Sequence, residues 1–292
     1  MKRKNLKVVG TIMYVDEIVI NHSIKSLKRQ TYPLDDIVII EKFPSAKTAV
    51  TAMFDYGYKC GCDILITTAA DIIWKPNLVI NYLKTLKKDT FMVRCHADDM
   101  MLQPAPGGTW GIDMKVLQKY RPGHNGFGVG NRWDHDFWSK VKNVTGMKYR
   151  HAGKKNLVIH HPIWTPFEMY GKIRATLPRF PGTEPKTIGK YKQFFEKGLK
   201  RYPNNLTLKV GYDLFNKMVK NLSDWVMLDK RLDIIQREWK DFKKAYPLNG
   251  KEFFAMPGWE KIAKKLIKEK ISRGKIEIIP SVKRVKKEDL YD

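Results

Sequence analysis

The sequence predicts an α/β fold, a mostly parallel sheet flanked by helices, followed by a mainly helical, basic C-terminal region. Two observations carry this. Over roughly the first 95 residues, short apolar runs alternate with helix-spaced segments, the rhythm of strand–helix–strand units on a parallel sheet. From about Thr165 the character changes to Lys-rich helical segments, after a stretch in which Pro166, Pro178, Pro181 and Pro185 cluster. This places a boundary at residue 165, between a 1–165 α/β domain and a 166–292 basic region.

Lys7 to Met13 is a nearly continuous apolar run, as in a strand buried on both faces. Ile20, Ile24 and Leu27 keep a helical spacing within 18–30, and Pro33 ends that unit. Asp36 to Glu41 is a second strand. Ser45 is placed to cap a helix through Tyr58. Asp63 to Thr67 is a third strand; Pro76 opens a helix to about Leu86, and Phe91 to Arg94 is a fourth strand. Residues 97–131 break the rhythm with three prolines and seven glycines. Trp133, Phe137 and Val141 mark a helix, and Asn156 to His160 a further strand. Helical segments are expected near 187–198, 208–221, 228–244 and 251–272.

The chain has 292 residues and a formal net charge of +25, with +11 in residues 1–160 and +14 in 161–292. Both halves therefore attract polyanions such as nucleic acid, anionic membrane or phosphorylated ligands. Apolar residues at 43% exclude global disorder. No apolar run reaches the ~18 residues of a membrane-spanning helix. No signal peptide is legible, and Cys60, Cys62 and Cys95 cannot build a disulfide framework, so a reducing cytoplasm is the expected location. Cys60-Gly61-Cys62 lacks a second ligand pair and reads as structural.

The most informative stretch is Cys62 to Pro76. A buried strand ends, a carboxylate follows at Asp71, and Pro76 starts a helix five residues later. Ligands of open α/β sheets bind at the carboxyl ends of the strands, so Asp71 projects into that crevice. A carboxylate there suits Mg²⁺ or Mn²⁺ bound together with substrate phosphates. His96-Ala97-Asp98-Asp99 is a rival metal site.

The chain at this point resembles glycosyltransferases of the GT-A fold, family 2 type, over about residues 6–161. Ser23 to Pro33 followed by Asp36 to Glu41 resembles the family's first helix, its Gln-Thr-Tyr-Pro turn and its second strand. Ala69-Ala70-Asp71 falls on its Asp-x-Asp motif, and Trp133 to Trp138 resembles its Glu-Asp motif opening a helix. The chain departs from the pattern in two places: Ala69 replaces the first Asp, and Glu41 replaces the Asp that ends the second strand.

The resemblance implies a donor pocket at Tyr14, Glu41, Ala69 and Asp71, with the donor base against Tyr14. It implies a metal held by Asp71, with a late His, His160 or His161, completing its shell. Strand alternation sends these two histidines to opposite faces, so at most one is expected in the crevice. Asp134 falls on the family's catalytic Asp. Asp136 competes with it, but two residues turn a helix by about 200°, so both cannot face one site. Gly123 to Gly130 is no dinucleotide fingerprint, since no strand precedes it, and reads as a loop beside the acceptor.

The expected reaction moves a sugar from a nucleotide-sugar donor, UDP-sugar first among them, to a hydroxyl, with inversion implied by the resemblance. Lys261, Lys264, Lys265, Lys268 and Lys270 crowd one C-terminal segment, Lys283-Arg284 and Lys286-Lys287 another, with Trp225, Trp239 and Trp259 among such charges. Lys264, Lys265 and Lys268 are the expected acceptor or polyanion contacts. The leading acceptor is DNA bearing hydroxymethylated bases, as in phage genome modification. The alternatives are a peripheral-membrane transferase of cell-surface glycan synthesis, or a catalytically inactive binding module.

Overall fold

A computed structural model describes residues 6–41, 43, 46–101, 105–119, 133–176, 185–221, 237, 240–242, 244–245, 252–286 and 288–291. Side chains are not described at 105–107, 119, 133–136, 154–155, 175–176 and 185–187. The glycine-rich stretch 123–130, Ser45, Trp225, Trp239 and most of the helix expected at 228–244 lie outside the described residues.

The N-terminal units form where the apolar runs place them: β1 (Val8–Tyr14), α1 (Ile20–Lys28), β2 (Asp36–Glu41), α2 (Ala46–Cys60) and β3 (Ile64–Ala69). A short strand that the sequence reading missed follows, β4 (Ile72–Trp74), then α3 (Leu78–Thr85) and β5 (Thr90–Asp98). The interrupted stretch holds β6 (Ala105–Asp113) and α4 (Met114–Lys119); next come α5 (Trp133–Thr145), β7 (Lys148–His160) and β8 (Ile163–Trp164). The rest is α6 (Pro166–Thr176), α7 (Pro185–Arg201), α8 (Leu206–Lys220), β9 (Phe254–Ala255), α9 (Glu260–Arg273), β10 (Lys283–Val285) and α10 (Glu288–Tyr291).

The sheet has eight strands in the order β10-β2-β1-β3-β6-β5-β7-β4. Four of its seven neighbouring pairs are parallel, and β6 and β4 enter antiparallel. This is the GT-A-like α/β architecture that the resemblance implied. Val8, Ile12, Ile39, Ile64 and Ile66 are buried on one face of the sheet, and Val9, Val38, Ile40 and Leu65 on the other, so both faces are covered. Gly111 of β6 leaves room for the Tyr82 ring, which an added Cβ would meet at 2.4 Å.

The Gln-Thr-Tyr-Pro turn has a structural job. Gln30 is buried; its amide donates to the carbonyls of Ser26 and Lys75, and its oxygen accepts from Val79 N–H. Thr31 Oγ1 donates to Pro76 O at 2.7 Å. The end of α1 is thereby tied to the turn that opens α3, which fixes the β3–β4 connection carrying Asp71.

Residues beyond 165 divide between two cores. Trp164, Met169, Ile173, Tyr191, Phe195 and Phe215 gather α6, α7 and α8 around an apolar interior of their own. Ala263, Leu266 and Ile267 of α9 instead pack into the core of the large sheet, and β10 extends its β2 edge. Among the described residues, no helix is long and apolar enough to cross a membrane.

Candidate active site

The site grows from one register. β4 runs antiparallel to β7 with Ile72 opposite His160, so Asp71, one residue earlier, meets His161. His161 N–H donates to the Asp71 carbonyl at 3.1 Å, and Ala70 N–H donates to Met13 O at 2.9 Å. The second bond holds the same turn against the end of β1.

Asp71, His160 and His161 stand together, with ligating atoms within 4.8 Å of one another, the group of this kind found among the described residues. His161 Nδ1 lies 2.7 Å from Asp71 Oδ2, and Lys172 Nζ of α6 lies 3.3 Å from His161 Nε2. An ammonium can only donate, so Nε2 accepts from Lys172 and Nδ1 carries the proton given to Asp71. His160 Nε2 is 4.0 Å from Asp71 Oδ1, and its Nδ1 is 3.5 Å from Asp99 Oδ2. The two imidazoles stack at 3.8 Å, and Trp164 stacks on His161 at 4.1 Å.

Strand alternation would have separated the two histidines, and here the structure corrects the expectation. His161 has a φ of 51°, so the extended backbone ends at His160 and the next side chain folds back to the same side. Asp16, with a φ of 152°, is the other non-glycine residue with positive φ among the described residues, and it lies at the same end of the sheet. Backbone strain of this kind concentrates at functional sites.

Burial would push the Asp71 carboxyl up, but the hydrogen bond from His161, the neighbouring His160 and the ammonium of Lys172 outweigh it and hold the group well below the carboxylate range. His160 is held well below its ordinary value by burial, then by His161 and Lys172, so the ring is neutral and able to ligate. Glu17 is pushed up to about 7 by burial and then by the Asp71 charge. Its carboxylate accepts from Val15 and Asp16 N–H. Burial also raises Glu168, whose Oε2 accepts from Thr165 N–H and Oγ1.

The residues expected to meet the donor fall in line at the carboxyl ends of three adjacent strands. Tyr14 pairs with Glu41, and Met13 with Ala69. Tyr14 is pushed up to about 12 by burial, then by Asp16 and Glu17. Glu41 is buried and bonded to Arg284 of β10, whose Nε donates to Oε2 at 3.1 Å and whose Nη2 reaches the same oxygen. Asp134 and Asp136 lie in the first turn of α5, and their side chains are outside the described ones. Lys264, Lys265 and Lys268 stand exposed on α9.

The rival metal site does not assemble. Asp98 is taken by Lys75 at 2.7 Å and Asn156 at 2.5 Å, and the His96 ring stacks on His151 at 4.8 Å. The Cys62 thiol is buried and pushed up by that burial, as a structural cysteine is. Sequence reading missed Glu17, Lys172, Glu168 and the pairing of Lys270 with Asp16 and of Arg284 with Glu41. Thr165-Pro166-Phe167-Glu168 did carry a signal, a capping box with Pro at the first helical position, which is how α6 begins.

An ion at this site would find donors that fit it. Asp71 Oδ1 and His160 Nδ1 are buried without a hydrogen bond among the described residues. A carboxylate with the neutral imidazole of His160 is a mixed oxygen–nitrogen donor set, better matched to Mn²⁺ than to Mg²⁺.

No family model matches the chain, and no curated protein matches it. Solved structures show some likeness. A glycosyltransferase involved in the glycosylation of the major capsid of PBCV-1 aligns over 52% of this chain and 92% of its own at 8% identity, with a TM-score of 0.37. Residues 1–349 of S. aureus TarS align over 94% of this chain and 95% of theirs at 10% identity and a TM-score of 0.38. The same TarS segment in complex with UDP gives 0.37. A mycobacterial protein aligns over 53% of this chain at 10% identity and a TM-score of 0.37; the chain spans 65% of that protein's length. Each TM-score is below 0.5, which leaves the functional reading to the side chains of the crevice.

Proposed function

We propose that this protein is a metal-dependent glycosyltransferase that moves a sugar from a nucleotide-sugar donor, best a UDP-sugar, to a hydroxyl acceptor. The observation that supports it most is the convergence of Asp71, His160 and His161 on a turn at the carboxyl end of the sheet, beside Tyr14, Glu41 and Ala69. Asp71 and His160 would hold Mn²⁺ or Mg²⁺. His161, with both ring nitrogens engaged, would orient Asp71. The ion supplies charge for the departing diphosphate. Asp134, in preference to Asp136, would take the acceptor's proton as its oxygen attacks the anomeric carbon, with inversion.

For the acceptor we propose DNA with hydroxymethylated bases. Lys264, Lys265 and Lys268 are exposed on α9, and Lys25, Arg29 and Lys265 lie close enough to His22 to lower its proton affinity after burial does. Basic residues of α1 and α9 therefore lie near one another around His22. An amphipathic helix on a membrane needs a free apolar face. Ala263, Leu266 and Ile267, the apolar face of α9, are buried in the core, so an anionic membrane would be met by lysine heads and the single half-exposed Ile271.

The test is a panel of radiolabelled nucleotide sugars against hydroxymethylated DNA, unmodified DNA and anionic vesicles. Transfer to the modified DNA alone is the expected result. Tight vesicle binding with no DNA binding would move the acceptor to a cell-surface glycan. Donor binding without transfer or hydrolysis would leave an inactive binding module.

A further inference from the structure

Three carboxylates at the carboxyl end of the sheet meet cations brought from beyond residue 165. Asp71 is reached through His161 by Lys172 of α6, Glu41 by Arg284 of β10, and Asp16 by Lys270 of α9. Lys270 is the odd member of its helix. Lys261, Lys264, Lys265 and Lys268 are exposed, whereas its side chain is only 17% exposed. Its Nζ donates to the Asp16 carbonyl at 2.9 Å and to Asp16 Oδ2 at 2.8 Å. It also acts electrostatically on Glu168, as does His161, so the ammonium stands on the same side of the crevice as the Asp71 cluster.

Asp16, Glu17, Asp71 and Glu168 crowd this end of the sheet. A diphosphate entering such a place is repelled unless cations turn toward it. The Asp16 side chain is 33% exposed, so water can take over its carboxylate when the ammonium leaves it. A phosphate offers more charge and more acceptor oxygens than one carboxylate. The ammonium is therefore free to change partners, and α9 stays docked when it does, because Ala263, Leu266 and Ile267 seat the helix.

We propose that Lys270 is a phosphate-binding residue of the donor pocket, kept in place by Asp16 until a nucleoside diphosphate takes its ammonium. This rests on the nucleotide-sugar reading of the crevice. It gives one lysine of the basic C-terminal segment a role apart from its neighbours: a donor contact, where they face outward.

Titration calorimetry with UDP, uridine and inorganic pyrophosphate, in the presence of Mn²⁺, tests it on the full chain. Lys270→Ala and Lys270→Met are expected to weaken UDP and pyrophosphate about tenfold each, with uridine unchanged and the melting temperature kept. Lys270→Arg is expected to retain most of the affinity. Equal UDP affinity in wild type and Lys270→Met would overturn the proposal. So would a loss shared equally by uridine and UDP, which marks a residue that merely pins α9. A wild type that binds neither UDP nor GDP, CDP or ADP would refute the donor reading itself, a result distinct from either of these.

Discussion

Two carboxylates at the same end of the sheet, Asp71 and the more deeply buried Glu41, meet different kinds of partner. Asp71 is surrounded by imidazoles, groups whose protons and lone pairs can be exchanged, and one of its oxygens makes no hydrogen bond among the described residues. Glu41 gives one oxygen, Oε2, to Arg284, a guanidinium that never gives up its charge, and its Oε1, like Asp71 Oδ1, makes no hydrogen bond among the described residues. The first offers an exchangeable partner to the ion proposed above; the second is tied by a fixed charge to the strand that extends the β2 edge.

Mutation separates the two most sharply. Asp71→Ala is expected to abolish transfer and Mn²⁺ binding while leaving the melting temperature nearly unchanged, because a crevice side chain is lost and no core cavity opens. Chelator should reproduce the loss in wild type. Full activity in EDTA together with an active Asp71→Ala enzyme would remove the metal from the mechanism.

The next effect sharpens the chemical side. Asp134→Asn should lower kcat by about 10²–10⁴-fold with little change in KM, since a base acts in the transition state. If Asp136→Asn does the damage instead, the assignment between the two is reversed.

Arg284→Met is the counterpart on the architectural side. It leaves the Glu41 carboxylate buried without its partner, at a cost of about 2–3 kcal/mol, reduced from the fully buried case because Arg284 is half exposed. Denaturant unfolding should show that loss, and Glu41→Gln combined with Arg284→Met should restore part of it. A stability equal to wild type in the single variant would make the pair a surface contact.

The smallest effect concerns pH. Burial, then Lys25, Lys265 and Arg29, lower the proton affinity of His22 in the folded chain. Its folded value lies below its unfolded value, so the unfolded chain binds more protons as pH falls below about 6.5, and stability falls with it. His22→Gln should flatten the decline in melting temperature between pH 7.5 and 5.5 by about 1–2 °C. An unchanged slope would show that His22 carries none of it.

Much of this was legible in the chain. The apolar runs located β1, β2 and β3, because a strand buried on both faces must be apolar at every position. Gln30-Thr31 could be matched to a motif, and its hydrogen bonds to residues 75–79 explain why the turn bearing Asp71 sits where it does. Asp71, His160 and His161 were named from spacing and resemblance. Their meeting was not derivable, since it depends on the β4–β7 register and on the left-handed backbone of His161. A three-residue strand has too little pattern to be seen. The helix α6 was hidden by its prolines, which read as a boundary although one of them opens the helix at Pro166.

By itself the sequence determined the parallel strands, the helices that cover them, the surplus of positive charge and the presence of an acid after the third strand. These follow from local patterning, where each residue's side is set by its immediate neighbours. Tertiary structure alone decided which cation answers which acid. Lys270 and Asp16 are separated by 254 residues, and Arg284 and Glu41 by 243. Such pairs are chosen by how α9 and β10 dock on the sheet, a packing outcome that depends on whole buried faces and leaves no mark in the spacing of the charged residues themselves.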